Sequence, residues 1–298
     1  METFDIDEII DERKTLYTTD DPLTGRIEVC EGYYDEEYMR FLLVDGSMQS
    51  AELLERDGEL ELPFDYMESF NWIFRLNKHI KKTLLIGGGG FAYPKYYLHR
   101  YPERYIDAIE ISQKVIDVAR DYFGLRDLEE KAGEHLRVIV GDGNAYLIDL
   151  ALKIRSFENK KAAAGKDIKG ATSEQSVGET SETGTVKVKD TLSEPGADGK
   201  SGIMKYDVIL NDAFVGHKSS SLLKKSAELI KTCLNEDGIY AANLVIPLKG
   251  PGSQQSRKDM EVFAEVFNYT FLLPCDDELN PYAPQNCVFF ASDAPFEM

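Results

Sequence analysis

A short apolar run, Thr83-Leu84-Leu85-Ile86, ends directly on four glycines, Gly87 to Gly90, and a helical pattern then runs from Phe91 to Arg100. Few backbones satisfy that order. A buried strand that stops on glycines and turns into a helix leaves backbone N–H groups open to a closely approaching ligand. Gly87, Gly89 and Ala92 also spell G-x-G-x-x-A, the spacing of a dinucleotide-binding turn. The unit then repeats. Tyr105 to Ile109 reads as a second strand, Gln113 to Phe123 as a helix closed by Gly124, and Leu136 to Val140 as a third strand. Tyr206 to Leu210 and Ile239 to Val245 supply a fourth and a fifth, with helical patterns from about Ser219 to Leu234 and from Arg257 to Phe267. Tyr269 to Leu273 and Cys287 to Ala291 are two late strands joined by a loop alone. The expected fold is α/β: a Rossmann-like parallel sheet covered on both faces, with an antiparallel C-terminal edge.

Residues 1–65 carry extended patterns and read as a small β-unit ahead of an α/β domain over 66–298. Arg26 to Cys30 alternates, and Met39 to Val44 leads into the turn pair Asp45-Gly46. From Phe64 to His79 the pattern turns helical, with Tyr66, Phe70, Ile73 and Phe74 on one face. A segment at about 159–202 is nearly free of large apolar residues and is expected to be a disordered insertion, because it cannot bury enough surface to offset its ordering entropy.

Hydrophobic residues make up 43% of the 298, enough for a sizeable core, and the formal net charge is -19. Gripping nucleic acid requires Lys and Arg on phosphates, and 53 acidic residues outnumber 34 basic ones, so nucleic acid is not the expected partner. A cationic small molecule suits the field better. The 4 cysteines are scattered, and His79, His99, His135 and His217 show no paired ligand spacing, so no metal site is expected. The acidic start METFDIDEIIDERK has no signal-like apolar stretch and no run is long enough to span a bilayer. The reading is cytoplasmic, with no membrane partner.

The chemistry gathers at strand tips, where open α/β sheets bind ligands. Glycines 87, 88, 89 and 90 follow the first strand. Glu110, flanked by Ile109 and Ile111, ends the second and can accept ribose hydroxyls. The third ends in Gly141-Asp142-Gly143, where Asp142 can accept an adenine amine and Gly143 lets the ring lie close. The fourth ends in Asn211-Asp212. Four consecutive tips bearing Gly-rich, Glu, Asp and Asp elements outline one nucleoside pocket.

The runs LLIGGGG, IDAIEI with Val115-Ile116, VIVGDGNAYL and YDVILNDAF resemble the spermidine synthase family, polyamine aminopropyltransferases within the class I methyltransferase fold. LLVDGSMQS and FDYMES resemble two N-terminal elements of that family. The resemblance implies a transferase whose donor is S-adenosylmethionine or its decarboxylated form, held through Gly87, Gly88, Gly89, Gly90, Glu110, Ile111, Asp142, Gly143 and Asn211. It implies Asp212 as catalytic base with Tyr66 beside it, and Gln49 and Tyr66 on the acceptor side. His217, in the loop after Asp212, is a further candidate for positioning a small-molecule acceptor such as a cationic amine. A homo-oligomer is compatible with this reading.

Two departures from the family pattern bear on the reaction. Gly90 stands where the synthases carry an aspartate, and Val215 replaces a second one. Each missing carboxylate removes a charge-assisted hydrogen bond to an amine, worth about 1.5–3 kcal/mol. Without the aspartate at 90, backbone N–H groups there could meet the donor's carboxylate. The expectation is therefore transfer of an alkyl group, with methyl preferred, to a small acceptor. Aminopropyl transfer making spermidine from putrescine, and nucleoside binding without catalysis, are the alternatives. An NAD-dependent enzyme fits the Gly-Asp-Gly and Asp212 tips less well.

Overall fold

The computed structural model describes residues 6–54, 60–167, 205–213, 224–276 and 278–296. After a short helix α1 (Ile6–Ile9), four strands form an antiparallel sheet in the order β1-β2-β3-β4: β1 (Asp11–Asp21), β2 (Gly25–Tyr34), β3 (Glu37–Val44) and β4 (Ser47–Leu53). Its inner strands do not show the expected alternation: Ile27 to Cys30 of β2 and Phe41 to Leu43 of β3 are buried in unbroken runs, because both faces of the sheet are covered. Asp45 and Gly46 both take positive φ, 52° and 73°, and make the tight hairpin turn between β3 and β4 that an Asp-Gly pair favours. β1 escaped the sequence reading because its residues, DERKTLYTTDD, are mostly exposed on an edge. Charged residues there blunt an otherwise open row of backbone donors.

Two short helices, α2 (Asp65–Phe70) and α3 (Ile73–Leu76), stand where one longer helix was expected from Phe64 to His79. The seven-stranded sheet follows: β5 (Lys82–Ile86), β6 (Tyr105–Glu110), β7 (Leu136–Val140), β8 (Tyr206–Asn211), β9 (Leu234–Ile246), β10 (Tyr269–Pro274) and β11 (Gln285–Ser292). Its order is β10-β11-β9-β8-β5-β6-β7. β5 to β9 pair in parallel, and β11 runs antiparallel to both neighbours, β9 and β10, as the expected C-terminal edge. The chain reverses winding at β5, between β6 and β8, so a crevice opens beyond its tip.

One sheet face packs on α2, α3, α4 (Ala92–Arg100), α5 (Gln113–Tyr122) and α6 (Leu125–Ala132) around Phe70, Phe91, Tyr97 and Phe290. The other packs on α7 (Gly143–Asp167), α8 (Lys224–Cys233) and α9 (Gln254–Ala264) around Leu147, Ile154, Tyr240 and Phe263. The small sheet joins the domain through Ile27, Val29 and Leu42 against Val115, Val118 and Phe123. Arg40 fastens it with a 2.6 Å hydrogen bond to the Tyr122 carbonyl, and Lys95 with a 2.5 Å ion pair to Glu52.

One boundary is corrected. The insertion was expected to begin at 159, but α7 continues through Asp167, because the run NKKAAAGK is rich in strong helix formers. The rest of that insertion, at 168–202, lies outside the described residues, as does the start of the expected helix at Ser219. No helix among the described residues is long and apolar enough to cross a membrane.

At the end of the sheet away from the glycines, Asp107 of β6 is buried and accepts both Nε and a terminal nitrogen of Arg137, at 3.1 and 2.6 Å. The Tyr206 hydroxyl donates to the same carboxylate at 2.5 Å, and Lys82 Nζ lies 3.6 Å away. Burial, reinforced by the charge of Asp107, holds the Tyr206 phenol well above its usual pKa and so keeps it a donor. Removing the carboxylate strands a guanidinium and an ammonium at the edge of the core. Asp107→Ala is expected to lose about 3 kcal/mol, and Tyr206→Phe about 1 kcal/mol, in urea denaturation.

Candidate active site

The site is built on the tips of β5, β6, β7 and β8. Gly87 takes φ 95°, and a Cβ there would stand 2.7 Å from the Asp212 carbonyl oxygen, so only glycine lets the β5 and β8 tips close together. Gly89, at φ 50°, faces the Gln49 carbonyl of β4, 3.3 Å from where its Cβ would be. The N-terminal sheet therefore roofs the glycine loop. Phe91 caps α4 in the left-handed region, φ 57°, fully buried with its ring against Gly88. A bulky residue in that region is held by its surroundings, at a cost of about 1–3 kcal/mol.

Glu110 is buried at the β6 tip. Its Oε2 accepts from the backbone N–H of Gly88 at 3.0 Å and of Gly89 at 3.1 Å, and its Oε1 from Ser112 N at 3.1 Å. That leaves Oε1 able to take a further donor, such as a ribose hydroxyl. Beside it, Ile111 and Val140 are exposed at neighbouring tips and offer apolar surface to a flat ring. Asp142 caps α7, with Oδ1 accepting from Ala145 N at 2.9 Å. Gly143 has no room for a side chain because a Cβ would collide with Ile86, whereas around Gly141 the space is open. The tips thus gather two carboxylates, Glu110 and Asp142, beside the exposed Ile111 and Val140, and the glycines at 87, 88, 89, 90 and 143 are required by the protein's own packing.

Asp212 lies half-buried one residue past β8. Its Oδ2 accepts the Tyr66 hydroxyl at 3.0 Å and its Oδ1 the Asn243 side-chain amide at 3.1 Å. Burial pushes its carboxyl up to about 7, against the lowering effect of those two bonds. Tyr66 is driven well above its usual pKa, first by burial and then by the Asp212 charge, so it stays protonated. The phenol packs between Phe64, stacked at 5.7 Å, and Phe70, edge-on at 5.9 Å.

The remaining expected residues fall in different places. Asn211 spends its side chain on Tyr240 at 3.0 Å and Ala213 N at 3.2 Å, holding the strand tip. Gly90 is buried, and a Cβ on it would meet Ser50 Oγ at 2.6 Å and Phe123 at 3.3 Å, so its side-chain direction points at β4. His217 and Val215 lie outside the described residues. Asn243 and Ser112 were missed. Asn243 was readable as one polar residue inside the apolar run AANLVI, whereas Ser112 looked like an ordinary helix cap.

No family profile matches the sequence, and no curated protein matches it. Solved structures do. The spermidine synthase of Thermotoga maritima superposes with TM-score 0.58 at 17% identity, over 94% of this chain and 73% of that one. A spermidine synthase in complex with the transition-state analogue AdoDATO gives TM-score 0.60 at 17% identity, over 94% and 74%. Human methyltransferase-like protein 13 in complex with SAH gives 0.52 at 16% identity, over 78% and 84%. The fold is that of the spermidine synthases and class I methyltransferases.

A carboxyl that titrates near 7 in the folded chain, raised from 3.8, holds its proton more tightly when folded. Its protonated form favours folding, and that advantage is lost as pH rises from about 4 to about 7. Asp212→Asn is thus expected to be more stable than wild type at pH 8, by on the order of 2 kcal/mol. The two proteins should converge near pH 4 in thermal melts.

Proposed function

We propose that the chain is a transferase that takes an alkyl group from an S-adenosylmethionine-type donor, with methyl the preferred group, and passes it to a small nucleophile. The observation that carries this reading is the pairing of Asp212 with Tyr66 and Asn243 beside a glycine loop tied to Glu110. When bound, the donor supplies a carbon made electrophilic by its sulfonium.

The chain's residues supply position and a proton acceptor. Glu110 and Asp142 hold the ribose and adenine ends, with Gly143 and Ile111 against the ring. Asp212 takes the proton that the acceptor's nucleophile loses as its new bond to carbon forms, while the bond from carbon to sulfur breaks and its electrons stay on sulfur. Tyr66, kept protonated, and Asn243 both donate to Asp212 and fix its orientation. Holding the nucleophile in line is the larger contribution, and the base adds to it. With its carboxyl at about 7, Asp212 gives an acid limb with a midpoint near pH 7, activity rising as the carboxylate forms.

The missing aspartates at Gly90 and Val215 are what put methyl transfer first; Ser50 fills the side-chain direction of Gly90, so that position presents backbone alone to the crevice. Aminopropyl transfer is the second reading, favoured by the overall likeness to spermidine synthases. Both rest on a nucleoside site. Calorimetric titration with S-adenosylmethionine, its decarboxylated form, methylthioadenosine and NAD separates them. The methyl reading expects S-adenosylmethionine to bind at least as tightly as the decarboxylated form, and NAD not to bind. Glu110→Ala and Asp142→Ala should each weaken every adenosine-type ligand about tenfold or more. Both should also melt lower, since Glu110 accepts three backbone N–H groups and Asp142 caps α7, so affinity is compared at a temperature where each variant is folded. Wild-type affinity in both variants would refute the site. Preference for the decarboxylated donor, with putrescine aminopropylated, would establish the second reading instead.

A further inference from the structure

Glu110 faces the donor side only because of what holds it from behind. Its Oε1 rests on the backbone N–H of Ser112, a residue only 1% exposed. Ser112 is also the N-cap of α5, its hydroxyl oxygen accepting from Val115 N at 3.1 Å. The hydroxyl proton goes elsewhere, to Oδ2 of Asp21 at the end of β1. The same Asp21 carboxylate shapes the β1–β2 turn, accepting Leu23 N at 3.1 Å and the Thr24 hydroxyl at 3.0 Å. Lys114 adds a second tie, donating to the Asp20 carbonyl. The hairpin tip of the small sheet is thus fastened to the residue that holds the ribose carboxylate, 91 positions away in the chain.

We infer that Asp21 is a positioning residue for the ribose site, acting through Ser112 on Glu110. This rests on the nucleoside-site reading above. A serine hydroxyl can donate only one proton. Given to Asp21, it leaves the oxygen lone pairs to cap α5 and leaves Glu110 Oε1 free for a ribose hydroxyl. Without Asp21, the hydroxyl proton is released to seek another acceptor, and the Glu110 carboxylate, whose Oε1 already takes the N–H of the same residue, is the one it would occupy at the ligand's expense. The hydrogen bond from Ser112 also holds the Asp21 carboxyl below its usual range, so it remains an ionised acceptor near neutral pH.

The readout is the ratio of affinities for 5′-methylthioadenosine and its 2′,3′-dideoxy analogue, which isolates the ribose contacts from overall binding. In Asp21→Ala this ratio should fall about tenfold, the factor of one hydrogen bond to a charged group. Asp21→Asn should restore it, because an amide oxygen also accepts from Ser112. In a Ser112→Ala background, adding Asp21→Ala should change nothing further. An unchanged ratio in Asp21→Ala, or equal loss for both ligands, overturns the inference and leaves the nucleoside site standing. Failure of wild type to bind either ligand, or wild-type binding by Glu110→Ala, overturns the nucleoside site itself.

Discussion

The carboxylate of Glu110 is where three parts of the molecule meet. It takes N–H groups from Gly88 and Gly89 of the loop after β5, and from Ser112 at the start of α5, while its own strand supplies the tip. Backbone donors buried at such a junction need partners, and leaving one unmade costs about 1–3 kcal/mol. A single side chain satisfies all three. The geometry of the glycine loop and the entry into α5 follow from it, and the small sheet is fastened to that same entry through Asp21 and Ser112. A group that organises the protein in this way is also the one best placed to meet a ligand, since it is already oriented and close to the crevice.

A good part of this was readable from the chain. The strand ending on glycines, the repeated alternation and the antiparallel edge follow from periodicity, because buried parallel strands are short apolar runs with few competitors. β1 was not readable, since an exposed charged edge has no apolar rhythm. The continuation of α7 was masked by a polar composition that looked disordered, although its alanines and lysines favour helix. For the site, Asp212 and Tyr66 could be named from sequence resemblance, and the structure sets them 3.0 Å apart. Asn243 stood out as a polar residue but could not be paired with Asp212, because that bond depends on the register of β9 against β8, which periodicity does not fix. The direction of Gly90 was equally hidden. Only the packing of β4 shows Ser50 lying where a side chain would go.

The acid at the centre of the site differs from the acids around it. Most of the chain's 53 acidic residues contribute a long-range field that favours cations. Asp212 is raised to about 7 by burial and is only partly ionised at neutral pH. Its two donors, Tyr66 and Asn243, soften that shift without cancelling it. Burial thus makes it a stronger proton acceptor when ionised, and the neighbouring hydrogen bonds keep enough of it ionised to act.

The contacts that complete the pocket span long stretches of chain. Tyr66 and Asp212 are separated by 146 positions, Asp21 and Ser112 by 91, and Arg40 and Tyr122 by 82. Closing such loops is slow and comes late in folding, after local helices and hairpins have formed. A partly folded chain would have its sheet strands but no place for a nucleoside. A ligand that binds there recognises only the finished protein, and so draws the whole folding equilibrium toward it in proportion to its concentration. Under the nucleoside reading proposed above, the supply of that ligand in a cell would then shield the folded chain from proteolysis.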